Sequence, residues 1–413
     1  MAQKYDVVII GSGAAGMCAA INIKMRNRSI SVAILEQLPR VGKKLITTGN
    51  GRCNISNMNI NLDRYHGENV TFAEYALQNY DNCRAEDFFT KIGVIFTYDE
   101  TGRAYPYSLQ ASSVVDAMRF SLDEIGVDVF CETKVKTYKK QNKMFTAITD
   151  KGDFVGKNLI IATGLYSGGE KLGSNGSMLK ILKNTGYKTV KLTPAIVQVK
   201  TENAVVRSLK GMKVNADAMI TINGQSVRHE YGEVLFCEYG LSGPPIMQIS
   251  REVERQSGDK NIILDIMPEY SFSDVCDMLN FRVTALTNRN LDEFLTGMLN
   301  KRVGQAVIKL CGLKMNDSVS VLKSTDIKQI ASVIKGMKFK VTATTGFENS
   351  QVTAGGLDTA QFNPQSMESR IEKGLYCIGE ILDIDGDCGG FNLQWSWSSA
   401  MCAADAVCKN FGV

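Results

Sequence analysis

The residues with the plainest chemical purpose stand near the start of the chain. Gly11-Ser12-Gly13-Ala14-Ala15-Gly16 has the Gly-x-Gly-x-x-Gly spacing, follows the apolar run 5–10 and opens an alanine-rich stretch over 14–26. In such a turn Gly11 permits the tight bend, Gly13 lets the backbone approach a diphosphate, and Gly16 lets the helix lie close to the strand. The helix start adds unpaired N–H groups and a partial positive charge. A second apolar run over 31–35 ends at Glu36, twenty residues after Gly16, where a carboxylate can accept hydrogen bonds from ribose hydroxyls. Glycine-rich turns are common by themselves. The placement between strand and helix, with the acid downstream, is what points to a dinucleotide.

Three further segments decide between dinucleotides. Ile160-Ile161-Ala162-Thr163-Gly164 ends an apolar run and resembles the Ala-Thr-Gly element of flavoprotein oxidoreductases. Gly374-Leu375-Tyr376-Cys377-Ile378-Gly379-Glu380 reads as a last parallel strand ending in Gly-Glu, which resembles the Gly-Asp element beside a flavin ribityl chain. Gly389-Gly390-Phe391-Asn392 then leads into a final helix, whose N-terminus suits negative charge on a reduced flavin ring. Each element alone is an ordinary strand, turn and helix. Together and in order they make the expected cofactor non-covalent FAD, with Thr163, Gly164, Gly379 and Glu380 among its contacts.

The elements that must position these motifs follow from pattern. Helices are expected over 71–92 and 110–125, where apolar residues recur at three and four. Strands are expected over 127–139, 144–149 and 154–162, with Val135 on the first of them as a cofactor contact; these resemble the meander of FAD-binding folds. Short β-like runs fill 193–233, with Asn223-Gly224 as a hairpin signal. A helix is expected after Gly243-Pro244, and a helical pattern over 271–310. There Asn290 and Glu293 have capping-box spacing before Leu291, Phe294, Leu295, Met298 and Leu299, which read as core. A last helix is expected over 393–409. The fold class is α/β, with one FAD domain made from both chain ends (1–190 and 341–413) around a β-rich insert (191–270 and 320–340) and a helical insert (271–319).

Composition restricts the function. A net charge of +4 gives little reason to expect nucleic acid or an anionic membrane as partner. The acid-free stretch 37–62, which carries Arg40, Lys43, Lys44 and Arg52, suits a phosphate-bearing ligand instead. No apolar run approaches the roughly 18–20 residues that span a bilayer, and no leader pattern precedes the first strand, so a cytoplasmic protein is expected. The eleven cysteines are scattered with no Cys-x-x-Cys, and there are two histidines. Buried thiols are expected, without disulfides or a bound metal.

The blocks Gly42-Lys43-Lys44-Leu45, Thr48-Gly49-Asn50-Gly51-Arg52-Cys53-Asn54, Gly240-Leu241-Ser242-Gly243-Pro244, Ala354-Gly355-Gly356 and Gly379-Glu380-Ile381-Leu382-Asp383 carry a resemblance over essentially the whole chain. It is to the bacterial NAD(P)/FAD-dependent oxidoreductase family that includes the 3-dehydro-bile-acid Δ4,6-reductase and aminoacetone oxidase flavoproteins. The resemblance implies a discontinuous FAD domain with a β-barrel-like insert and a small helical one. It also implies that Lys43, Lys44, Arg52, Cys53 and Asn54 line the FAD site, with Gly379, Glu380, Asp383, Gly390, Phe391, Asn392 and Leu393 on the flavin side. Cys237-Glu238 stands where many members have Thr-His, which separates this chain from their activity at that point.

Candidates for proton transfer or substrate contact are Tyr105 and Tyr107, in the aromatic segment 103–108, and Glu238 and Tyr239 before the Gly240 block. Amphipathic packing for the tyrosines and a solvated ion pair for Glu238 are the alternatives. The expected reaction is NAD(P)H-dependent reduction of an activated, enone-like C=C bond of a small molecule, possible for a steroid or bile acid, by hydride transfer through flavin N5. No second dinucleotide fingerprint is visible, so NAD(P)H is expected as a transient donor at the same flavin. Oxidation of a small amine such as aminoacetone, and a flavin-bound redox sensor or scaffold, are the alternatives.

Overall fold

The computed structural model describes residues 2–202 and 204–412. Two compact units arise, one from residues 1–193 with 351–413 and the other from 194–350.

The first unit opens with β1 (Gln3–Ile10), α1 (Ala14–Arg26) and β2 (Val32–Leu35). Its central strands are apolar on both faces because helices cover both sides of a parallel sheet. Next come α2 (Lys43–Ile46), β3 (Ser56–Asn57), β4 (Tyr65–His66), α3 (Glu74–Asn79), α4 (Asn82–Lys91), β5 (Phe96–Tyr98), β6 (Arg103–Pro106) and α5 (Ala111–Glu124). The helix expected over 71–92 is therefore broken. Tyr80 is the C-cap of the first piece, and Asp81 caps the second, its side chain accepting from Arg84 N at 3.0 Å.

The strand expected over 127–139 is likewise two, β7 (Asp128–Phe130) and β8 (Val135–Gln141). Between them Glu132 takes φ +52°, and Glu132 N and Thr133 N donate to Leu38 O and Glu36 O at 3.0 and 2.7 Å. These bonds pull the chain out of strand geometry to wrap the end of β2. β9 (Met144–Thr149), β10 (Asp153–Ile161), α6 (Ser177–Asn184) and β11 (Thr193–Ala195) follow.

The second unit holds β12 (Val199–Thr201), α7 (Ala204–Ser208), β13 (Lys213–Ile222), β14 (Gln225–Phe236), β15 (Gly240–Ser242), α8 (Pro244–Arg255), β16 (Lys260–Asp265), α9 (Phe272–Ala285), α10 (Lys301–Leu310), α11 (Ser324–Lys335) and β17 (Met337–Thr344). Six strands close into a barrel in the order β12-β15-β14-β13-β16-β17. Asn223 and Gly224, at φ +52° and +82°, form the two-residue turn between β13 and β14. Ile246, Ile249 and Val253 of α8 join barrel residues and Leu279, Val307 and Ile330 of the helices in one apolar cluster. Barrel and helices thus share one core, and β17 closes the barrel across position 341, inside the second unit and not in the first, where 341–413 is expected from the sequence.

The capping box lies at Ser271 and Asp274, not at Asn290 and Glu293. Residues 291–299 form turns rather than a helix. Gly297 sits at φ +89°, and Arg282 donates to Phe294 O and Thr296 O at 2.6 and 2.7 Å, taking carbonyls that a helix would have used. Leu291, Phe294 and Leu295 are buried in the core nonetheless.

The chain completes the first unit with β18 (Val352–Ala354), β19 (Leu375–Cys377), β20 (Asp385–Gly386) and α12 (Phe391–Asn410). The main sheet runs β7-β2-β1-β10-β9-β8, with β19 also on β10. The first half of β10 pairs antiparallel with β9, and its last residues, Leu159–Ile161, pair parallel with β19. The strands of both chain ends therefore finish side by side. α12 packs along α1, where Cys408 lies 3.8 Å from Ile23 O. Alanines on both helices, with Gly16 of α1, permit that approach. The buried serines of α12 are satisfied by carbonyls, Ser398 on Tyr80 O at 2.5 Å and Ser399 on Trp395 O at 2.7 Å.

Candidate functional site

The glycine turn after β1 has three glycines with three different reasons. At Gly11, φ +100°, an added Cβ would stand 2.6 Å from Ala162 O, and at Gly16 one would stand 1.9 Å from Gly11 O. Packing alone requires glycine at both. Gly13 is different: its φ is −73°, and an added Cβ would meet nothing within 4 Å. The protein itself has no need of glycine there. The space opens at the N-terminus of α1, whose first N–H groups have no intrahelical acceptor, and this is the cradle a dinucleotide diphosphate needs. The residues present fit FAD at this point, with Ala14 and Ala15 forming the first helical turn.

Glu36, 8% exposed at the end of β2, steadies the turn from below. One carboxylate oxygen accepts from Ser12 N and Ser12 Oγ at 3.0 and 2.6 Å, and the other accepts from Leu38 N at 2.8 Å. Val135 begins β8 just beyond Thr133, whose N–H is bonded to Glu36 O. Spacing from Gly16 singles out Glu36 in the sequence. It misses Ser12, whose only signal is its place between two glycines.

The sheet order brings the remaining motifs to the same end. Thr163 and Gly164 leave β10, and a Cβ on Gly164 would lie 3.6 Å from Glu380 Oε2. Gly379, at φ +71°, would place a Cβ 3.1 Å from Ala15 Cβ, and its carbonyl accepts from Trp395 Nε1 at 3.1 Å. Glu380 is the hub. Its carboxylate accepts from Lys44 Nζ and Ser167 Oγ, both at 2.5 Å, and from Thr353 N at 2.9 Å. Lys44 also donates to Ser167 Oγ, and Thr353 Oγ1 accepts from Tyr166 N and Ser167 N. Lys44 and Glu380 are 28% and 16% exposed, so the pair lies at the wall of the site rather than inside the core. Ser167 and Thr353 were not read from the sequence; they lie in a glycine-rich stretch and a short strand with no distinguishing spacing.

The segment 52–57 is stitched to the start of α12. Asn54 Nδ2 donates to Ser56 O and Ala104 O at 3.0 and 2.9 Å, Ser56 Oγ to Gln394 Oε1 at 2.6 Å, and Asn57 Nδ2 to Gly389 O at 2.8 Å. Gly390 can only be glycine here, since a Cβ would stand 2.2 Å from Ser56 O. Asn392 closes a two-way bond with Gly386, accepting at 2.8 Å and donating at 2.7 Å. Asp383 is buried and accepts from Glu68 N at 2.8 Å. Phe391 is buried with its ring edge-on to Tyr65, and Leu393 is half-buried.

Other candidates lie less centrally. Lys43 is exposed on α2. Arg52 is exposed, its guanidinium 5.0 Å above the ring of the buried Tyr105. Cys53 is fully buried, and burial pushes its thiol up to about 12, which makes it a packing residue with a firmly held proton. Tyr107 is 74% exposed. Glu238 and Tyr239 belong to the second unit. Glu238 forms an exposed ion pair with Lys210 at 2.7 Å, which holds its carboxyl below the usual range, and burial followed by a Cys237 hydrogen bond pushes Tyr239 up to about 12.

The family described as HI0933-like protein Rossmann domain matches residues 5–406. The chain belongs to this family. It is thus an FAD-type oxidoreductase with a Rossmann-type domain. Over 404 residues, 97% of this chain and 98% of the other, it is 32% identical to the 3-dehydro-bile acid delta(4,6)-reductase of Clostridium scindens. It is 29% identical over 409 residues to the ribosomal RNA dihydrouridine synthase of Escherichia coli, covering 98% of each. A solved E. coli quinol fumarate reductase FrdA shares the fold, with TM-score 0.53 and 14% identity over all of this chain and 71% of that one. No described helix is long and apolar enough to cross a membrane.

Proposed function

We propose that the protein saturates a C=C bond conjugated to a carbonyl in a small molecule of steroid type, with NAD(P)H as electron donor. FAD held at the Gly13 cradle and beside Gly379-Glu380 would supply the redox chemistry between donor and acceptor. The observation that carries the reading is the convergence of the Gly13 cradle, Thr163-Gly164, Gly379-Glu380 and the start of α12 on one site. One such site serves donor and acceptor in turn. The names of the two relatives support the chemistry: a delta(4,6)-reductase and a dihydrouridine synthase both act on C=C bonds conjugated to a carbonyl.

Within the site the chain's own groups divide the work. The first turn of α1 faces the diphosphate, and Glu36 fixes that turn and addresses the adenosine ribose. Lys44 and Glu380 present a fixed charge pair beside Gly164. A second substrate reading, a uracil of ribosomal RNA, is favoured by the exposed Lys301, Arg302, Lys309, Lys314, Lys323 and Lys328 of the second unit.

The test is anaerobic. NADPH or NADH should bleach the yellow protein, and canrenone, whose ketone is conjugated to two ring double bonds, should restore the colour. Recovery with ribosomal RNA alone selects the uracil reading. Bleaching by aminoacetone but not by NAD(P)H refutes reduction in favour of amine oxidation.

A further inference from the structure

The loop after β20 carries a second polar centre that the cofactor motifs do not use. Asp387 is 5% exposed, and its carboxylate accepts from His66 Nε2 at 2.8 Å and Arg64 at 3.5 Å. The position is fixed from three directions. β4 pairs with β20, setting His66 opposite Asp385; Asp387 N donates to Arg64 O at 2.8 Å; and Asn392, in the first turn of α12, donates to Asp387 O at 3.3 Å. The centre therefore adjoins Gly390 to Leu393, the stretch expected against the flavin.

We infer that His66 is the acid that protonates the substrate carbon and that Asp387 is its positioning residue. This rests on the C=C reductase reading above. A carboxylate only accepts, so Nε2 carries its hydrogen toward Asp387 and Nδ1 is the nitrogen turned to other partners. The His66 side chain is 24% exposed, and its Nδ1 has no hydrogen-bond partner among the described residues. The surrounding groups are worse donors. Burial, then the charge of Asp387, holds the Tyr65 phenol far above its usual range, and its hydroxyl is committed to Phe391 O at 3.1 Å. Arg64 is engaged with the Asp387 carboxylate at 3.5 Å. Asp383, Asp385 and Glu68 are the other charged groups of these strands and loops; Asp383 accepts from Glu68 N at 2.8 Å, and Asp385 stands opposite His66.

The π bond opens; the β-carbon gains a C–H bond with the electron pair that came from NAD(P)H; the α-carbon gains a C–H bond with the proton leaving His66 Nδ1. The imidazole is left neutral with its Nε2–H on Asp387, and it regains a proton from water at its exposed edge.

The experiment separates this role from folding and from the functional reading. The FAD-loaded protein is reduced with dithionite and mixed anaerobically with cyclohexenone, canrenone or ferricyanide, the last of which takes electrons without any carbon being protonated. His66→Gln should slow reoxidation by the enones about 100-fold or more and leave the ferricyanide rate unchanged, and imidazole should restore part of the enone rate in His66→Gly. Asp387→Asn should slow the enones less. Nitrogen NMR of labelled histidine, assigned with His229→Gln, should show neutral His66 as the Nε2–H tautomer in wild type. An unchanged enone rate in His66→Gln, an equal loss with ferricyanide, or the Nδ1–H tautomer overturns the inference. A wild-type protein that no conjugated C=C reoxidises overturns the functional reading, and the acid role with it.

Discussion

Replacing Gly13 by alanine separates the cofactor from the fold. The backbone at Gly13 has φ −73° and ψ −168°, which alanine adopts freely, and the new methyl group meets no protein atom within 4 Å. The apoprotein should therefore fold as before and gain about 0.4–1 kcal/mol from a stiffer unfolded chain. The methyl would fill the space through which the diphosphate approaches α1. Overpacking of that kind costs about 1–3 kcal/mol, which corresponds to about 5- to 150-fold weaker FAD binding at about 1.4 kcal/mol per tenfold. The assays are FAD content after purification, titration of apoprotein with FAD, and thermal unfolding of the apo form. Gly16→Ala is the contrast, because its methyl would lie 1.9 Å from Gly11 O and must lower both FAD content and stability. Wild-type FAD affinity in Gly13→Ala would show that the diphosphate does not bind where the structure leaves room for it.

Denaturation should release intact FAD, detected chromatographically; FMN alone, or flavin fixed to the chain, would contradict the dinucleotide site. Lys44→Met leaves Glu380 partly buried without its cation and should destabilise the protein by about 1–3 kcal/mol, with the double variant Lys44→Met, Glu380→Gln recovering part of the loss in urea unfolding. Burial pushes the Cys53 and Cys402 thiols up to about 12 and Cys311 up to about 11. Unfolded thiols near their ordinary value ionise first, so stability is full below about pH 8.5 and falls as pH rises toward 11, by up to about 1.4 kcal/mol per pH unit for each thiol; urea titrations across that range check the sign. Glu238→Gln breaks only an exposed pair with Lys210, so melting temperature, FAD content and turnover should stay unchanged, and a slowed turnover would place Glu238 at the substrate.

Spacing by itself determined the features that are local. The glycine turn, Glu36, the Asn223-Gly224 hairpin and the proline-led α8 each depend on a few neighbouring residues, whose backbone preferences are written in their types. The barrel-like insert and the FAD-site blocks came from family resemblance, not from periodicity. Where local rules conflicted with packing, sequence reading failed. The capping-box spacing at Asn290 lost to Arg282, which takes the carbonyls of Phe294 and Thr296, and the strand over 127–139 broke where its backbone was needed by Glu36 and Leu38. The polar centres were decided by tertiary structure alone. Lys44, Ser167, Thr353 and Glu380 are far apart in the chain and meet because β19 pairs with the end of β10. His66 reaches Asp387, 321 positions away, because β4 pairs with β20. Neither meeting has a sequence period, since strand order, and not local propensity, sets which distant side chains share an end of the sheet.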